Sequence, residues 1–453
     1  MIATINPYTN CLIEKFEPLT DGELEQKILT ASAEQKEWNN TLITDRIKLF
    51  QNLSVLLREQ KKSLAKLATL EMGKLLREAE LEIEKSAACI DYYIKNCEQY
   101  LKDEEIEIDY GKAILVKEPI GVVLAVMPWN FPFWQVFRFA IPALLAGNVA
   151  LLKHASNVPQ CSLAIEKLFV GAGFPDGVFQ SLLIEAADVG KVIQHEMVSA
   201  VTLTGSEKAG AEVASLAGLH IKKAVLELGG SDAFVVMPDA DLKKTVTTAV
   251  KSRIINCGQS CIAAKRFIVH QSVTESFASE MMKQFSAFKN GDPLLDETTL
   301  SPMAKEELIF ELERQISESV KLGAKILFGG KRIERAGCFF EPTILTNVNE
   351  KMPVFTEETF GPLAAIISFE TVEEAINLAN NSRYGLGGSV WTRNETEGLR
   401  IAKRIKSGSV YVNQLMKSDI RLPFGGTKKS GFGKELSKMG FMEWVNTKSV
   451  VIA

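Results

Sequence analysis

The stretch "NCGQSCIAAKR", residues 256–266, carries two cysteines four positions apart with a Gly-Gln turn between them. A cysteine attacks as its thiolate, which is favoured at a loop or at the start of a helix. Cys261 follows the turn and precedes "IAAKRFIV", so its thiol is expected to project from such a position. Free cysteines are more often inert and buried. This stretch alone therefore leaves a nucleophile and a packing residue both open.

Glu227 is the candidate base for such a nucleophile or for a water molecule. It lies in "LELGGSD", residues 226–232, within an otherwise apolar strand that ends at a Gly-Gly turn. An apolar setting raises the pKa of a carboxylate, which suits a general base. A structural glutamate paired with a lysine or arginine is the alternative. A cysteine-histidine pair is less favoured, because His154 is the only histidine near any of these stretches.

Two further strand ends carry polar groups. In "VMPWNFPFWQ", residues 126–135, a buried strand stops at a proline and Asn130 follows in the loop. Ligands bind at such strand ends, and the Asn130 amide could donate a hydrogen bond to developing negative charge. In "TGSEKAG", residues 204–210, glycine lets backbone amides approach a phosphate at a helix start. Both stretches also fit ordinary turns, and the second lacks the full dinucleotide-binding fingerprint.

Alternating helices and strands must position these residues. Residues 20–100 are predicted to be mostly helical, because apolar residues recur every three or four positions. Downstream, short buried-strand runs lead into helices, as in "GVVLAVMPW", "VALLKHA", "AVTLTGS" and "DAFVVM". This alternation is typical of parallel α/β layers. A second unit of similar character runs from "VLELGGSDAFVV" to about residue 424, with "RFIVH", "AKILFGG", "LAAIISF" and "SVYVN" as its strands.

Residues 99–118 read differently, as an alternating hairpin with Tyr110-Gly111 at its turn. Such a hairpin cannot bury much surface alone. We therefore expect it to pair with another part of the chain or with another chain.

Length and composition limit the function classes. At 453 residues the chain is expected to form two or three domains, and 46% hydrophobic with 24% charged residues is typical of a soluble globular protein. A net charge of −4 argues against nucleic acid as the main partner. The start lacks signal-peptide character, so a cytoplasmic location is expected. The seven cysteines are scattered without a C-x-x-C pair, so neither a disulfide framework nor a metal site is predicted.

Taken together, the motifs are far more specific than each alone. "MPWNFP", "KHASN" (153–157), "LTGSEKAG", "LELGG", "GQSC", "EETFGP" (357–362) and "PFGGTKKSGFGKE" (423–435) occur in this order. The chain thereby resembles the NAD(P)-dependent aldehyde dehydrogenase family along essentially its whole length. In "NFPFWQVFR" and "GQSCIAAKRFIV" it is most similar to the succinate-semialdehyde dehydrogenase group.

The resemblance implies a reaction in which the Cys261 thiolate attacks an aldehyde carbon. The side-chain amide of Asn130 and the backbone N–H of Cys261 would hold the oxyanion. Hydride transfer to NADP+ or NAD+ would leave a thioester, which water activated by Glu227 would hydrolyse to the acid. Cys257 would then be a packing residue. The expected reaction is the oxidation of succinic semialdehyde to succinate.

The resemblance also implies a cofactor site. Gly205 and Ser206 match the helix start that binds the pyrophosphate, and Lys153 matches a ribose-binding lysine. The remaining matches are Glu358 at the nicotinamide ribose, Phe360 beside the ring and Trp129 near the phosphates.

Three departures from the family pattern concern this region. Many members have Lys-Pro where this chain has Lys153-His154, and NAD-preferring members often have a glutamate where this chain has Ser156. A glutamate would repel a 2′-phosphate, whereas serine can donate to it, with Lys153 and His154 supplying positive charge. We therefore expect NADP+ to be accepted. A lysine common in the family is Phe139 here, which puts that lysine's role in doubt.

Arg138 is the candidate contact for the far carboxylate of a semialdehyde. It follows Asn130 by eight residues, and two helical turns would place it about 12 Å along the same face. Gln135 and Ser418 are the predicted second contacts, and an arginine paired with an acid is the alternative. A second arginine of some relatives is Ile255 here, so the carboxylate clamp is incomplete unless Arg421 completes it.

The implied fold is α/β, with a Rossmann-like cofactor domain (1–98 and 119–227), an α/β catalytic domain (228–424) and a small β oligomerisation element (99–118 and 425–453). The hairpin would pair with the C-terminal strand and the edge of another subunit, giving a homodimer or homotetramer. Two other functions stay open. A CoA-acylating dehydrogenase typically lacks the base that Glu227 provides, and a non-catalytic binding protein would not need Cys261, Glu227 and Asn130 together.

Overall fold

The chain folds into alternating strands and helices, and the structure, a computed structural model, describes residues 2–453. The strands are β1 (Ile2–Asn6), β2 (Cys11–Phe16), β3 (Glu104–Ile108), β4 (Gly111–Pro119), β5 (Val122–Met127), β6 (Val149–His154), β7 (Phe179–Ser181), β8 (Val198–Thr204), β9 (Lys223–Glu227), β10 (Asp232–Val236), β11 (Ala264–His270), β12 (Lys325–Phe328), β13 (Thr343–Thr346), β14 (Leu363–Phe369), β15 (Gly387–Trp391), β16 (Ser409–Val412), β17 (Gly431–Phe432) and β18 (Val445–Ile452). The helices are α1 (Asp21–Asn40), α2 (Ile43–Glu59), α3 (Lys61–Met72), α4 (Leu76–Leu101), α5 (Trp134–Leu145), α6 (Pro159–Gly171), α7 (Val189–Gln194), α8 (Glu207–Leu219), α9 (Leu242–Ile254), α10 (Gln271–Phe285), α11 (Glu306–Lys321), α12 (Pro353–Thr356), α13 (Val372–Asn380), α14 (Glu395–Ala402) and α15 (Ser437–Met442). Short 3₁₀ turns cover Ala186–Asp188, Ile255–Gly258 and Lys428–Ser430.

One six-stranded sheet has the order β17-β9-β8-β5-β6-β7, and all its pairs are parallel except that of β17 with β9. The chain moves outward from β5 in one direction through β6 and β7, and in the other through β8 and β9. The strand order therefore reverses between β5 and β8. Loops at the carboxyl ends of two such strands form a crevice in which ligands bind, and Asn130 and Gly205 lie in these two loops.

A seven-stranded sheet has the order β12-β13-β14-β11-β10-β15-β16, with β12 antiparallel and the other strands parallel. The Gly229-Gly230 turn connects the two large sheets, because β9 ends at Glu227 and β10 begins at Asp232. Each large sheet has its own apolar core. Cys261 precedes β11 of the seven-stranded sheet, whereas Glu227 ends β9 of the other. The candidate residues therefore come from both units.

The third sheet is antiparallel and has the order β18-β4-β3. Its register pairs Val445 with Pro119 and Ile452 with Lys112, so the predicted hairpin lies against the C-terminal strand. Residues 425–453 are divided between two sheets, because Gly431–Phe432 pairs with β9. The domain boundaries given above stay a prediction.

The predicted α/β class is confirmed by the two parallel sheets. The sequence pattern does not predict β1, β2, β7, β13, β15 or β17. β15 is "GGSVW", whose two glycines weaken the strand signal, and β13 has only four residues. Within residues 2–453, none of the helices has the length and apolar character needed to cross a bilayer.

Candidate active site

The loop before Cys261 has an unusual backbone. Asn256, Cys257 and Gly258 all have φ in the left-handed region, at 51°, 55° and 74°. Non-glycine residues in this region cost free energy and persist only where the surrounding structure holds them. At Gly258 a Cβ would come within 2.1 Å of the Gly361 carbonyl oxygen. The close approach and the positive φ together explain why glycine occupies this position.

Hydrogen bonds from two buried side chains hold this loop. The guanidinium of Arg253 donates to the carbonyls of Gly258, at 2.6 Å, and Ala264, at 3.0 Å, on either side of Cys261. The Asn256 side chain donates to the carbonyl of Asn130 at 2.8 Å. Because Asn130 follows β5 and Asn256 precedes β11, this last bond connects the loops of the two units.

Cys261 lies in the turn before β11 and is half-buried. Burial raises the pKa of its thiol to about 12, against the opposing effect of the nearby Arg138 and Lys265 cations. Cys261 lies in a loop as expected, but this position does not favour the thiolate, because burial has the largest effect on its pKa. Lys265 was not predicted from the sequence; its Nζ donates to the Cys261 carbonyl at 2.8 Å. Cys257 is buried in the core of the second unit.

Asn130 is buried and its amide is held in one orientation. Its Nδ2 donates to the Gln259 carbonyl at 3.0 Å, and its Oδ1 accepts from Nε2 of Gln135 at 3.0 Å. A carboxamide has two N–H donors, so one remains for a ligand. Gln135, one of the predicted substrate contacts, donates to Asn130 and thereby orients the Asn130 amide; it also lines the cavity that Cys261 lines.

Glu227 is 2% exposed, and neither carboxylate oxygen has a hydrogen-bond partner within residues 2–453. Burial, followed by the repulsion of Glu435, raises its pKa well above the ordinary value. The alternative of a structural glutamate in an ion pair does not describe this carboxylate. A buried carboxyl of raised pKa is suited to exchange a proton with a ligand.

Glu435 is a buried carboxylate that no sequence signal identified. Its Oε2 lies 2.5 Å from Nε of Arg138, although the Nε–H does not point along this contact. Arg138 also donates to the Thr204 hydroxyl at 3.1 Å and stacks over Phe424 at 5.0 Å. The alternative weighed for Arg138, pairing with an acid, is therefore present, and the acid is buried. Nη1 of Arg138 makes no hydrogen bond to any residue in 2–453.

The expected two-turn offset between Asn130 and Arg138 is wrong, because α5 begins only at Trp134. Arg138 lines a cavity of about 620 Å³, and so does Gln135, the hydrogen-bond partner of Asn130. Its walls include Cys261, Arg138, Gln135, Ser418, Ile255, Lys85, Phe131, Trp134 and Phe424. Apolar groups predominate in the wall.

Ser418 and Lys85 lie on the same wall of this cavity. The Ser418 hydroxyl accepts a hydrogen bond from Lys85 Nζ at 2.5 Å. Lys85 comes from α4, in a stretch where the sequence indicates only an amphipathic helix. Arg421 lies outside the cavity wall: its exposed guanidinium pairs with Asp419 at 2.7 Å. Arg421 therefore does not complete a clamp in this cavity.

The predicted nicotinamide-side residues come from both units. The rings of Trp129 and Phe360 meet edge to face, with centroids 5.8 Å apart. Glu358 accepts the Gly230 N–H at 3.0 Å and lies 3.4 Å from Lys265 Nζ. These contacts position the Glu358 carboxylate beside the Gly-Gly turn, with Lys265 supplying the compensating charge.

The predicted adenosine-side residues follow β6. Lys153 is buried and forms no ion pair with a residue in 2–453, and burial together with Lys305 lowers its pKa. Ser156 lies in the loop after β6, where its carbonyl accepts the Ala3 N–H at 3.1 Å. The amide of Asn157 is buried without a partner on either atom, within the described chain. A cation and an unpaired amide thus flank Ser156.

His154 does not supply positive charge, which corrects the expectation made for it. Burial lowers its pKa to about 4. Its Nε2 donates to the Pro132 carbonyl at 2.9 Å, and its Nδ1, 3.2 Å from the Met127 carbonyl, accepts the Ala155 N–H at 2.9 Å. The two carbonyl contacts favour the charged ring, but the effect of burial on the pKa is larger. Its place is structural, behind the loop that carries Asn130.

Gly205 and Ser206 form the start of α8 as the motif predicts. The Ser206 hydroxyl accepts the Ala209 N–H at 3.3 Å and caps the helix. The Gly205 N–H donates to the Glu227 carbonyl at 3.0 Å. Any phosphate here would therefore meet the first-turn amides of α8.

At Phe139, where the family commonly has lysine, the ring packs edge to face on Trp444 at 5.1 Å. It is fully buried, so this position contributes packing and no charge.

Comparison with known proteins matches the aldehyde dehydrogenase family over residues 1–450. A probable NADP(+) succinate-semialdehyde dehydrogenase of Synechocystis is 45% identical over 452 residues, covering all of both chains. The NADP(+) succinate-semialdehyde dehydrogenase 1 of Mycobacterium tuberculosis is 44% identical over 455 residues, again covering both chains fully. The crystal structure of succinic semialdehyde dehydrogenase from Streptococcus pyogenes with NADP+ superposes with a TM-score of 0.98, at 37% identity and full coverage of both chains.

Proposed function

Since the chain belongs to the aldehyde dehydrogenase family, we propose that it oxidises succinic semialdehyde to succinate and transfers the hydride to NADP+, with NAD+ as the second cofactor. One observation carries the substrate assignment. The cavity beside Cys261 is mainly apolar but holds the Arg138 guanidinium and the Ser418 hydroxyl. A short aldehyde with a carboxylate at its far end has the matching pattern of apolar and charged groups.

The residues after β6 fit a phosphorylated dinucleotide. Lys153 is a buried cation without an ion-pair partner in the described chain, and Asn157 has unpaired amide atoms. Ser156 adds a hydroxyl donor and no negative charge, so a 2′-phosphate would not be repelled. Glu358 would accept from ribose hydroxyls, and Trp129 and Phe360 would lie beside the phosphates and ring. The bound cofactor accepts hydride from the substrate carbon.

Cys261 is the proposed nucleophile. After the thiol has released its proton to water, the thiolate sulfur bonds to the aldehyde carbon and the electron pair of the carbonyl π bond moves to the oxygen, which becomes an oxyanion. The free N–H of the Asn130 amide, held by Gln135 and Gln259, would donate to that oxyanion. Because the amide is already oriented, little reorganisation is needed as charge develops. Loss of hydride leaves a thioester on Cys261.

Glu227 is the proposed base for the second half of the reaction. It would take a proton from the water that attacks the thioester carbon, and the C–S bond then breaks to release succinate. Since burial and Glu435 raise its pKa, the basic form of Glu227 increases with pH. Release of a free acid distinguishes this reaction from transfer to CoA, which would not need this base.

Steady-state kinetics with succinic semialdehyde and butanal, each with NADP+ and NAD+, test the proposal. We expect succinic semialdehyde to exceed butanal in kcat/KM by at least about tenfold. Arg138→Ala should remove roughly 1.5–3 kcal/mol of this preference. Arg421→Ala is the matched control, because Arg421 is exposed and pairs with Asp419. Equal efficiency toward both aldehydes would refute the substrate assignment and leave the family unchanged.

The three-stranded sheet supports a further part of the proposal, a homodimer or homotetramer. Its strands β3 and β18 both have an unpaired edge within the described chain, and β18 exposes Val450, Val451 and Ile452. Unpaired edges favour pairing with another chain. We also propose that the chain divides into a cofactor domain, a catalytic domain and this oligomerisation element. A cytoplasmic location stays a prediction.

A further inference from the structure

Five cationic residues line the cavity beside Cys261, namely Arg77, Lys85, Arg138, Lys251 and Lys417, and the sequence motifs identify only Arg138 among them. Lys85, which projects from α4, is the one that contacts Ser418 of the predicted carboxylate site. Its Nζ donates to the Ser418 hydroxyl at 2.5 Å and lies 4.0 Å from the centre of the Trp134 ring. A ring face and a hydroxyl stabilise an ammonium but do not neutralise it. Lys85 therefore presents a held positive charge to the cavity.

The nearest acidic groups do not compensate this charge. Glu82 and Asp419 attract Lys85, but neither forms an ion pair with it within the described residues. Glu82 pairs with Lys74 and accepts the backbone N–H groups of Phe133 and Trp134. Asp419 pairs with Arg421, which lowers its pKa to about 2. Both carboxylates are occupied by other partners.

Arg138, which lines the same cavity, adds a like charge. Burial and the repulsion of Arg138 lower the pKa of Lys85 to about 8. Two cations beside apolar walls such as Phe131 and Ile255 repel each other, with little water to screen them. An anion bound between them would remove that repulsion and gain charge-assisted hydrogen bonds from both.

We propose that Lys85 is a specificity-determining residue, which binds the far carboxylate of the substrate together with Arg138 and Ser418. The inference rests on the proposed function, because it assigns a second cation to the same substrate carboxylate. Lys85 would act on binding of the carboxylate end, and the chemistry at Cys261 would remain as described. A merely structural Lys85 would hold Ser418 and affect charged and uncharged aldehydes alike.

The proposal predicts a pH dependence. The groups that face Lys85 are Arg138, Glu82, Cys89 and Asp419, and burial holds the Cys89 thiol neutral by raising its pKa. Below pH 8 Lys85 is charged and binds a carboxylate, whereas above pH 8 it loses its proton and the attraction. The KM for succinic semialdehyde should therefore rise as pH increases through about 8. The KM for butanal should not follow it.

The test compares the full-length wild-type protein with Lys85→Met and Lys85→Arg, using succinic semialdehyde and butanal at saturating NADP+. Lys85→Met should raise the KM for succinic semialdehyde roughly tenfold to hundredfold, with kcat and the kcat/KM for butanal within about threefold. Lys85→Arg should keep a low KM for succinic semialdehyde, and this KM should no longer rise above pH 8. Lys95→Met, an exposed position on the same helix, is the matched control.

The outcomes separate the two proposals. If wild type prefers succinic semialdehyde and Lys85→Met leaves its KM within twofold, Lys85 is not a substrate contact, although the proposed function stands. If Lys85→Met lowers efficiency toward both aldehydes equally, its role is structural. If wild type shows no preference, the proposed substrate fails and this inference with it. Melting temperatures check folding, and inhibition by succinate gives a second reading that Lys85→Met should weaken.

Discussion

At the scale of single residues, the thiol of Cys261 lies among charges of both signs. Arg138 and Lys265 favour the thiolate, whereas Glu227, Glu358 and burial oppose it. The net effect is a pKa of about 12, so the thiol is neutral at pH 7 before any ligand binds. A neutral resting thiol is less exposed to oxidation, and activation is left to the loaded site.

Cys261→Ser should abolish dehydrogenase turnover, because an alcohol at this position is a far poorer nucleophile than a thiolate. Binding of NADPH, followed by its fluorescence, should survive. Cys257→Ser is the matched control and should keep turnover within a few-fold, since Cys257 is buried in the neighbouring core. If Cys257→Ser abolished turnover and Cys261→Ser did not, the nucleophile would be Cys257.

The Glu227→Gln enzyme should form the thioester on Cys261 but should not hydrolyse it. The amide cannot accept the proton of the attacking water, so we expect a burst of about one NADPH per site and then little turnover. Rapid mixing with absorbance detection at the NADPH band measures the burst. Absence of both burst and turnover would place Glu227 in the earlier step, as the base that activates the thiol.

Ser156→Glu should shift cofactor preference toward NAD+. The carboxylate would repel a 2′-phosphate and accept hydrogen bonds from the free ribose hydroxyls, while Lys153 remains in place. The measurement is the ratio of kcat/KM values for NADP+ and NAD+, which should fall by at least about tenfold. Strict use of NAD+ by the unmodified protein would contradict the premise.

At the scale of elements, the strained turn Ile255–Gly258 and the start of β11 position the nucleophile. Three consecutive left-handed residues are held by Arg253 and Asn256 rather than by regular hydrogen bonding. Strain of this kind is found where the exact direction of a side chain matters to function. The same bonds connect Cys261 to the loop of Asn130.

Gly258→Ala should destabilise the protein by more than about 2 kcal/mol and reduce turnover strongly, because its Cβ would overlap the Gly361 carbonyl and φ is positive. Urea unfolding and steady-state rates measure the two effects. Gly218→Ala is the matched control: it lies in α8 with open space around its Cβ, so about 0.5–1 kcal/mol of stabilisation is expected. A stable, active Gly258→Ala would show that the loop tolerates another backbone.

At the scale of the whole molecule, the two large sheets share one site while the third sheet lies apart from it. Glu227 ends β9 and Asn130 follows β5 in the six-stranded sheet, whereas Cys261 and Glu358 come from the seven-stranded unit. Because the site needs both units, any relative movement of them would change the distance between nucleophile and base.

The edge of the third sheet is the proposed interface. Val450→Asp combined with Val451→Asp adds charge to both faces of β18 and should dissociate the oligomer, because unpaired charges are costly to bury. Sedimentation velocity gives the mass. Leu399→Asp, an exposed leucine on α14, should leave the assembly intact. A monomeric wild-type protein, or an oligomer unaffected by the double change, would refute this interface.

Local pattern and motif order were sufficient for several conclusions. Short apolar runs predict most strands of the parallel sheets, and helical spacing predicts the helices of residues 20–100, because buried elements must be apolar where they contact a core. The order of the motifs identifies the family and thereby Cys261, Glu227 and Asn130. These inferences depend on residue type and short spacing, which a sequence contains directly.

Only the tertiary structure decided how those residues are charged and paired. The pKa of Cys261, the neutrality of His154, the Arg138–Glu435 pair and the presence of Lys85 in the cavity all depend on distant segments. Burial and electrostatic interaction are set by what packs around a group, and several packing partners, such as Ser418 for Lys85 and Glu435 for Arg138, come from segments far apart in the chain. Spacing along the chain carries no record of those distances, so the sequence names the reacting groups and the fold sets their chemistry.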